Sequence, residues 1–406
     1  MSGIDSAYAW RRLAVSVALS TIGGMGMWSL AVALPVVQQD LGISRADISF
    51  AYSLNMVGFF LGGVAAGRLV DRRGIVPTAI LSAFGLAAGF ALAPTTSSLV
   101  LFAAAQAVIG FSASATFAPL VADVSHWFEK RRGVAVAIAA SGNYIAGALW
   151  PPIVERLIHD HGWRTTFTLA AAFCLATMIP LALTLKRRPP DHAEGALVSV
   201  ARRSQAALGL SPNALQALLA VAGISCCVAM SMPQVHIVAY CADLGYGVAR
   251  GAQMLSLMLF LGIFSRIGSG FVADAIGPSP TLMVGSFMQG VALLLYLEFN
   301  GLTSLFVVSG IFGLFQGGIV PMYALICREL MPPREAGVRI GIVVSATIFG
   351  MAFGGYAAGV IFDLTSSYRM AFLNGVLWNA INFAVVSFLF WRRQRRAPRG
   401  RLVEAL

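Results

Sequence analysis

Charged residues are scarce in this chain. Asp, Glu, Lys and Arg make up 11% of its 406 residues, against about a quarter in a soluble domain. Acids are the scarcer sign, 17 against 28 Lys and Arg. So little charge cannot cover a water-facing surface, which excludes an ordinary soluble enzyme or binding module. Cysteine is also sparse. Cys174, Cys226, Cys227, Cys241 and Cys327 lie in apolar stretches at no metal-ligand spacing and read as small buried hydrophobes. There is no H-x-x-x-H pair, no nucleotide-binding loop and no soluble catalytic segment, so neither an enzyme nor a signalling receptor is supported, and no cofactor is expected. The net charge of +11 comes without an exposed basic domain, which argues against nucleic acid.

What is present is apolar sequence: 58% hydrophobic residues and a mean hydropathy of +0.79. Crossing a bilayer takes about 20 apolar residues per helix. Such stretches recur near 11–37, 47–69, 75–93, 98–122, 134–158, 165–185, 210–240, 251–273, 279–297, 302–327, 337–362 and 370–391. Nothing alternates at the period of a membrane β-strand. The expectation is an all-α membrane protein of twelve transmembrane helices, with no cleavable signal, since Arg11 and Arg12 precede a first span too long for one.

The basic residues are unevenly distributed between the two ends of these spans. One side collects 22 of the 28 Lys and Arg, the other only Arg45, Arg156, Arg164, Arg250 and Arg369, and Arg266 lies inside. The asymmetry puts both termini in the cytoplasm and the lipid bilayer's anionic head groups beside the basic loops. It makes the cytoplasmic (inner) membrane the expected location.

The longest polar interruption, 186–213, has Pro-Pro near its opening and could hold a short surface helix over 193–208. It divides the chain into a six-helix bundle at 1–185, a cytoplasmic linker at 186–209, a second six-helix bundle at 210–391 and a basic cytoplasmic tail at 392–406. The halves repeat at offsets of 203 to 205. "GRLVDRRG" (67–74) matches "GFVADAIG" (270–277), "RRGVAVAIAASG" (131–142) faces "EAGVRIGIVVSA" (335–346), and "GWRTTF" (162–167) faces "SYRMAF" (367–372). A repeat of six spans keeps its orientation, so the bundles should be pseudo-symmetric about an axis along the membrane normal.

With these features the chain resembles the major facilitator superfamily over essentially its whole length. That family's loop between spans two and three reads G-x-x-x-D-R-x-G and then two basic residues. Gly67, Asp71, Arg72 and Gly74 match it, while Ile75 and Val76 replace the basic pair. A narrower resemblance follows span four. "WFEKRRGVAVAIAASG" (127–142) is similar to the fifth-helix signature of the monocarboxylate porter and oxalate:formate antiporter branch, through Trp127, Phe128, Lys130, Arg131, Arg132, Ala135, Ala139 and Gly142.

Two groups of residues could carry function. Asp71 and Arg72, in a turn bounded by Gly67 and Gly74, read either as a solvated turn or as a latch. In the latch, Asp71 caps a neighbouring helix and the arginines, Arg131 and Arg132 among them, pair with an acid at the end of span four, for which Asp123 is placed. Asp274 repeats Asp71 in the second half.

Arg266 is the other group. A charge there costs at least ~2.5–3.5 kcal/mol unless it faces the bundle interior or a water-filled cavity. It could be paired with a protein acid, could snorkel, or could await a substrate carboxylate, which its planar fork suits. The spans hold almost no acid to pair with it. The branch resemblance implies a substrate-binding arginine here in an R-x-x-x-G-x-x-A setting, which Arg266, Gly270 and Ala273 reproduce. Three departures stand out. Gly262 replaces the aspartate that proton-linked animal members carry one turn earlier. Residues 22–27 lack the acid and tryptophans of their first helix. The eleventh span has only Arg339, near its start, in place of the oxalate exchangers' lysine. A single buried cation suits a monoanion.

By helix position in this fold, Trp28, Asn55, Phe117, Asn143, Tyr144, His236, Gln316 and Tyr323 could line the pathway, each otherwise an ordinary packing residue. His236 could also exchange protons with the outside. Prolines in "ATFAP" (115–119) and "GGIVP" (317–321) predict bends in spans four and ten. The expectation is a secondary transporter for a small organic anion, a monocarboxylate, with Arg266 as its contact. Proton (H+) cotransport is the convenient coupling, although no residue clearly carries the proton. The alternative is a proton-coupled drug or metabolite efflux transporter, disfavoured by the lack of intramembrane acids. One chain supplies a whole pathway, so a monomer suffices.

Overall fold

The computed structural model describes residues 4–187, 210–331 and 335–396. Among them are twelve helices long and apolar enough to cross a membrane. In the first half these are α1 (Ala7–Leu41), α2 (Arg45–Arg73), α3 (Ile75–Thr95), α4 (Leu99–Ser125), α5 (Gly133–His161) and α6 (Trp163–Leu183). In the second they are α7 (Pro212–Asp243), α8 (Val248–Ile276), α9 (Pro278–Glu298), α10 (Leu302–Leu330), α11 (Val338–Thr365) and α12 (Tyr368–Arg395). The expected surface helix at 193–208 lies outside the described residues, as do the side chain of Arg132 and the tail beyond 396. The tail's beginning is a continuation of α12, held by Arg393 on Glu329 (2.5 Å) and by Arg395 over the Trp391 ring (3.8 Å).

The two halves use the same packing scheme. In the first, α1 packs on α5, α2 on α4 and α3 on α6; in the second, α7 packs on α11, α8 on α10 and α9 on α12. Between the halves α2 meets α11 and α5 meets α8. The molecule is an all-α membrane protein of two pseudo-symmetric six-helix bundles. The matched turns are built alike: Gly74 and Gly277 end α2 and α8 at φ +85° and +89°, where an L side chain would be strained.

Three helices are broken. The α4 span is interrupted at Ser114–Phe117 and α10 at Gly317–Gly318, just ahead of Pro119 and Pro321, so the proline-bearing segments do mark the bends. The break in α1 at Gly24 has no proline to announce it. There Asn143 and Ala146 of α5 press so close that a Cβ on Gly24 would stand 2.5 Å from the Ala146 methyl.

We call the face at the start of α1 and the end of α12 proximal and the opposite face distal. On the distal side the halves are in contact. Ser53 of α2 donates to the Ala352 carbonyl of α11 (2.6 Å), and Ser256 of α8 donates to the Ala148 carbonyl of α5. A Cβ on Gly359 would meet the Arg45 carbonyl oxygen at 2.8 Å, and one on Gly147 would meet Leu259 at 2.3 Å. On the proximal side Gly67, Gly133, Gly268, Gly270 and Gly341 have open space around them. Among the described residues, every side-chain hydrogen bond between the halves lies between Arg266 and the distal rim. Among the described residues the two halves are in contact distally and stand apart proximally.

Candidate functional site

Arg266 lies half-buried on α8 where that helix meets α5 and the break in α10. Its Nη1 donates to the Ala140 carbonyl of α5 (3.0 Å) and its Nε to the Gly317 carbonyl of α10 (3.4 Å). Gly317 is where α10 is interrupted, and backbone groups at such an end need outside partners. Arg266 satisfies one carbonyl there, and Ser265 accepts from the Gly318 N–H (3.1 Å). Among the described residues no carboxylate pairs with Arg266, so the static ion pair is not made. A guanidinium carries five N–H donors. With Nε and one Nη1 hydrogen committed to carbonyls, about three remain for a ligand.

Tyr144 of α5 covers the guanidinium, its ring centre 4.4 Å from Cζ. Cation–π contacts contribute about 0.5–2 kcal/mol, the more the less water reaches the cation. The ring rests on Gly262 of α8, where a Cβ would stand 2.4 Å from Tyr144 Cε1. The space an acidic side chain would need one turn before the arginine is therefore filled by an aromatic ring from the other half. The buried hydroxyl of Tyr52 on α2 has no hydrogen-bond partner among the described residues.

Other sequence candidates fall into three places. Trp28 and Asn143 are beside the α1 break: Trp28 Nε1 donates to the Asn143 carbonyl (3.2 Å), and Gly147 separates Trp28 from Leu259 of α8. Gln316 is the residue before the α10 break; its Oε1 accepts from Gln234 of α7 (2.7 Å), and its own Nε2 is buried without a partner among the described residues. Phe117 sits at the α4 break against Phe59 (6.4 Å). Tyr323 does not reach the site. Its hydroxyl lies 2.6 Å from Asn382 Oδ1 of α12 and 3.1 Å from the Ala222 carbonyl, inside the second bundle. Asn55 bonds to Gln106 (3.1 Å) and to the Gly26 carbonyl (3.0 Å) within the first.

His236 is likewise away from Arg266, fully buried in the distal closure. Its Nε2 faces the Gly355 carbonyl of α11 (2.9 Å) and its Nδ1 the Tyr368 hydroxyl (3.3 Å). Arg45, which the sequence marks only as a residue of the sparsely charged side, is the centre of this closure. It comes from α2 of the first half and donates Nη1 to Tyr368 (2.5 Å) and Nη2 to Asp243 of α7 (3.2 Å), over the Phe362 ring (4.7 Å). Asp363 of α11 accepts from the backbone N–H groups of Arg45 (3.0 Å) and Ala46 (2.6 Å), an acid on the N-terminus of α2. The available signal was an arginine in the first turn of a helix, against the dipole.

At the proximal face the expected latch is not assembled. Asp123 pairs with Arg12 of α1, through Nε (2.7 Å) and Nη2 (2.8 Å), and not with the loop arginines. Arg12 wins because its Nη1 is also met, by Tyr8 (3.0 Å) and the Leu185 and Arg187 carbonyls (3.1 Å each), with Trp127 stacked at 4.7 Å. Apart from the Arg187 carbonyl, just past the end of α6, these partners belong to the first bundle, so this pair need not separate when the halves rock. Asp71 does not cap α3: the residue before that helix is Gly74, with no side-chain cap. Asp71, Arg72, Arg131 and Asp274 are exposed, and Asp71, Arg72 and Asp274 have no side-chain partner among the described residues.

Known proteins resemble this chain in sequence and in fold. The chain is 26% identical to monocarboxylate transporter 13 of Rattus norvegicus, over 80% of its own length and 74% of that protein's. It is 22% identical to the MFS-type transporter pynF of Aspergillus niger, over 89% and 82%. A bacterial homolog of the human lysosomal transporter Spinster, solved in an inward-facing and unoccupied conformation, superimposes with a TM-score of 0.72 at 14% identity, covering 96% of this chain and 98% of that one. The profile of the Major Facilitator Superfamily matches residues 17–297 and 267–405. The chain is a transporter, not an enzyme, and it belongs to the major facilitator superfamily.

Proposed function

We propose that this transporter carries a small organic monoanion, a monocarboxylate, by alternating access, and that Arg266 holds the carboxylate between the halves. The observation that carries the reading is a guanidinium between α5, α8 and the α10 break that has unspent donors and no protein acid among the described residues. Those donors suit a bidentate carboxylate, and the Tyr144 ring holds the guanidinium in place from the opposite half. Trp28, Phe117, Asn143 and Gln316, each beside a helix break, would shape the rest of the site. Glycines with open space around them, Gly67 and Gly270, would come into contact when the proximal side closes, with Asp71, Arg72, Arg131 and Asp274 at the rim.

The basic excess of the proximal face favours placing it, with both termini, in the cytoplasm of a cell with an inner membrane. The chain divides as 1–185 and 210–391, with 186–209 as a cytoplasmic linker, and acts as a monomer. A lone anion entering an inside-negative cell works against about 2.3 kcal/mol per 100 mV, and a proton moving with it removes that cost.

The test is a thermal-shift screen of mono- and dicarboxylates on the purified protein, followed by proteoliposome uptake with and without an imposed pH gradient. Wild type should be stabilised by a monocarboxylate and Arg266→Ala should not. Equal uptake by Arg266→Ala, or transport of cations or neutral compounds in exchange for protons, would overturn the reading in favour of efflux.

A further inference from the structure

The distal closure contains a buried imidazole that the Arg266 site does not use. His236 sits seven residues before the end of α7, about 10 Å below the distal rim. Above it lies a cleft of about 450 Å³ between α1, α2, α7 and α8, lined by Gln39, Arg45, Asp243 and Val248 among others. The ring is separated from that cleft by the lock formed when Arg45 crosses from one half to the other.

The hydrogen bonds of the lock define the protonation of the ring. A carbonyl can only accept, so the 2.9 Å contact with Gly355 requires a hydrogen on Nε2. The Tyr368 oxygen already accepts from Arg45 Nη1. Its single proton is then free to donate to His236 Nδ1, which must be bare to receive it. Adding a proton to Nδ1 would point two cationic donors, Arg45 and His236, at one phenolic oxygen and leave the tyrosine proton without an acceptor. Charged groups near the ring are Arg45 of α2 and Asp363 of α11. Tyr368 of α12 touches the ring, and Tyr240 and Asp243 follow on its own helix. Asp243 and Asp363 are already committed to Arg45 and to the start of α2.

The pseudo-symmetric positions sharpen the point. In the first half Asp40 accepts from Trp163 Nε1 (3.2 Å) and from Arg164. Their repeats are Asp243, Tyr368 and Arg369. Yet Arg369 turns to the Leu297 carbonyl (3.1 Å), and Arg45 of the opposite half takes its place. Arg45 and His236 correspond to Val248 and Ala33, so both are additions that the shared scaffold does not require.

We propose that His236 is a proton-binding site that the Arg45 lock excludes: the distal side closes only when His236 is neutral, and a proton from the distal medium holds it open. The proton returns to the side it came from, so it sets the balance between the two states and is separate from any proton moved with substrate. The inference uses the two-state cycle of the family and not the identity of the substrate.

The test needs no substrate. Full-length protein in nanodiscs carries spin labels at Gln39→Cys and Arg250→Cys, exposed positions on opposite halves at the distal rim. Inter-label distances are measured from about pH 7.5 to about pH 5.5, spanning the imidazole range. Wild type should lose closed population by up to about tenfold per pH unit, as one exclusive proton requires. His236→Gln should be flat. Tyr368→Phe keeps the ring packing on Phe362 and Tyr240 but removes the shared hydroxyl, and should lose most of the response. A wild type insensitive to pH, or variants that respond as wild type does, would overturn the proposal. Failure of the carboxylate screen would leave these distances unchanged, so the two readings fail separately.

Discussion

Arg266 and Tyr144 belong to opposite halves of the molecule, and the guanidinium lies 4.4 Å from the centre of the tyrosine ring. A half-buried cation held by an aromatic face and two carbonyls is positioned without being neutralised. Tyr144→Phe keeps the π face and should bind substrate within about threefold of wild type. Tyr144→Leu removes it and should weaken binding by about tenfold, read as Kd from the ligand-dependent thermal shift.

Arg266→Lys retains the charge but not the fork. A lysine cannot serve Gly317, Ala140 and both oxygens of a carboxylate at once. Losing one partner of a buried charged pair costs about 2–5 kcal/mol. Uptake should therefore fall by about 30-fold or more in Arg266→Lys, with the protein's own Tm nearly unchanged. A lysine variant transporting at wild-type rates would sink the bidentate site.

Gly262 and Tyr144 should be coupled. A Cβ at 262 would stand 2.4 Å from Tyr144 Cε1, so Gly262→Asp forces the ring off the guanidinium. The single variant should lose transport and destabilise the distal-closed state by about 1–3 kcal/mol, the usual cost of overpacking. Adding Tyr144→Ala opens the space and should restore part of the loss. The measurement is a double-mutant cycle on uptake and Tm, and additive losses would contradict the contact.

Arg12 and Asp123 hold the first bundle together, a relationship visible only once the helices are packed. The pair is buried at both ends, 1% and 5% exposed. Removing one partner of such a pair costs about 3–5 kcal/mol, because the other charge stays buried. Asp123→Ala should lower Tm sharply in detergent, and Arg12→Met with Asp123→Leu should recover most of it. A latch would instead alter state populations and leave Tm alone.

These contrasts define what the sequence could reveal. Hydropathy and the constant repeat offset are properties of single helices, so twelve spans in two bundles were legible, as were the bends near Pro119 and Pro321. Arg266 was legible because it is a lone charge inside a span. Pairings among membrane-end charges were not, since they depend on how helices far apart in sequence are registered. Asp123 chose Arg12, 111 residues away, and Arg45 found Tyr368, 323 residues away. The burial of His236 and the inward turn of Tyr323 belong to the same class. Periodicity shows which face a residue occupies, but not which neighbour that face meets. Arg266, Arg45 and His236 all break the repeat, standing where the other half has Gly63, Val248 and Ala33.

The proximal glycines test the open state directly. Gly67 on α2 and Gly270 on α8 occupy matching positions at the repeat offset, and a Cβ at either would meet nothing within 4 Å. Neither needs its missing side chain for its φ, for a turn or for packing in this conformation. Distal glycines are different: at Gly359 a Cβ would strike the Arg45 backbone at 2.8 Å. If Gly67 and Gly270 are small because the proximal ends of α2 and α8 close on the opposite bundle, large residues there should be harmless in one state and prohibitive in the other. Gly67→Trp and Gly270→Trp should fold with wild-type Tm, bind substrate from the proximal side and fail to transport. Gly359→Trp should show the reverse bias, opening the distal side and weakening the Arg45 lock. Label distances at each rim, measured beside uptake, check all three. Normal transport by both Gly67→Trp and Gly270→Trp would mean that the proximal ends never come together there.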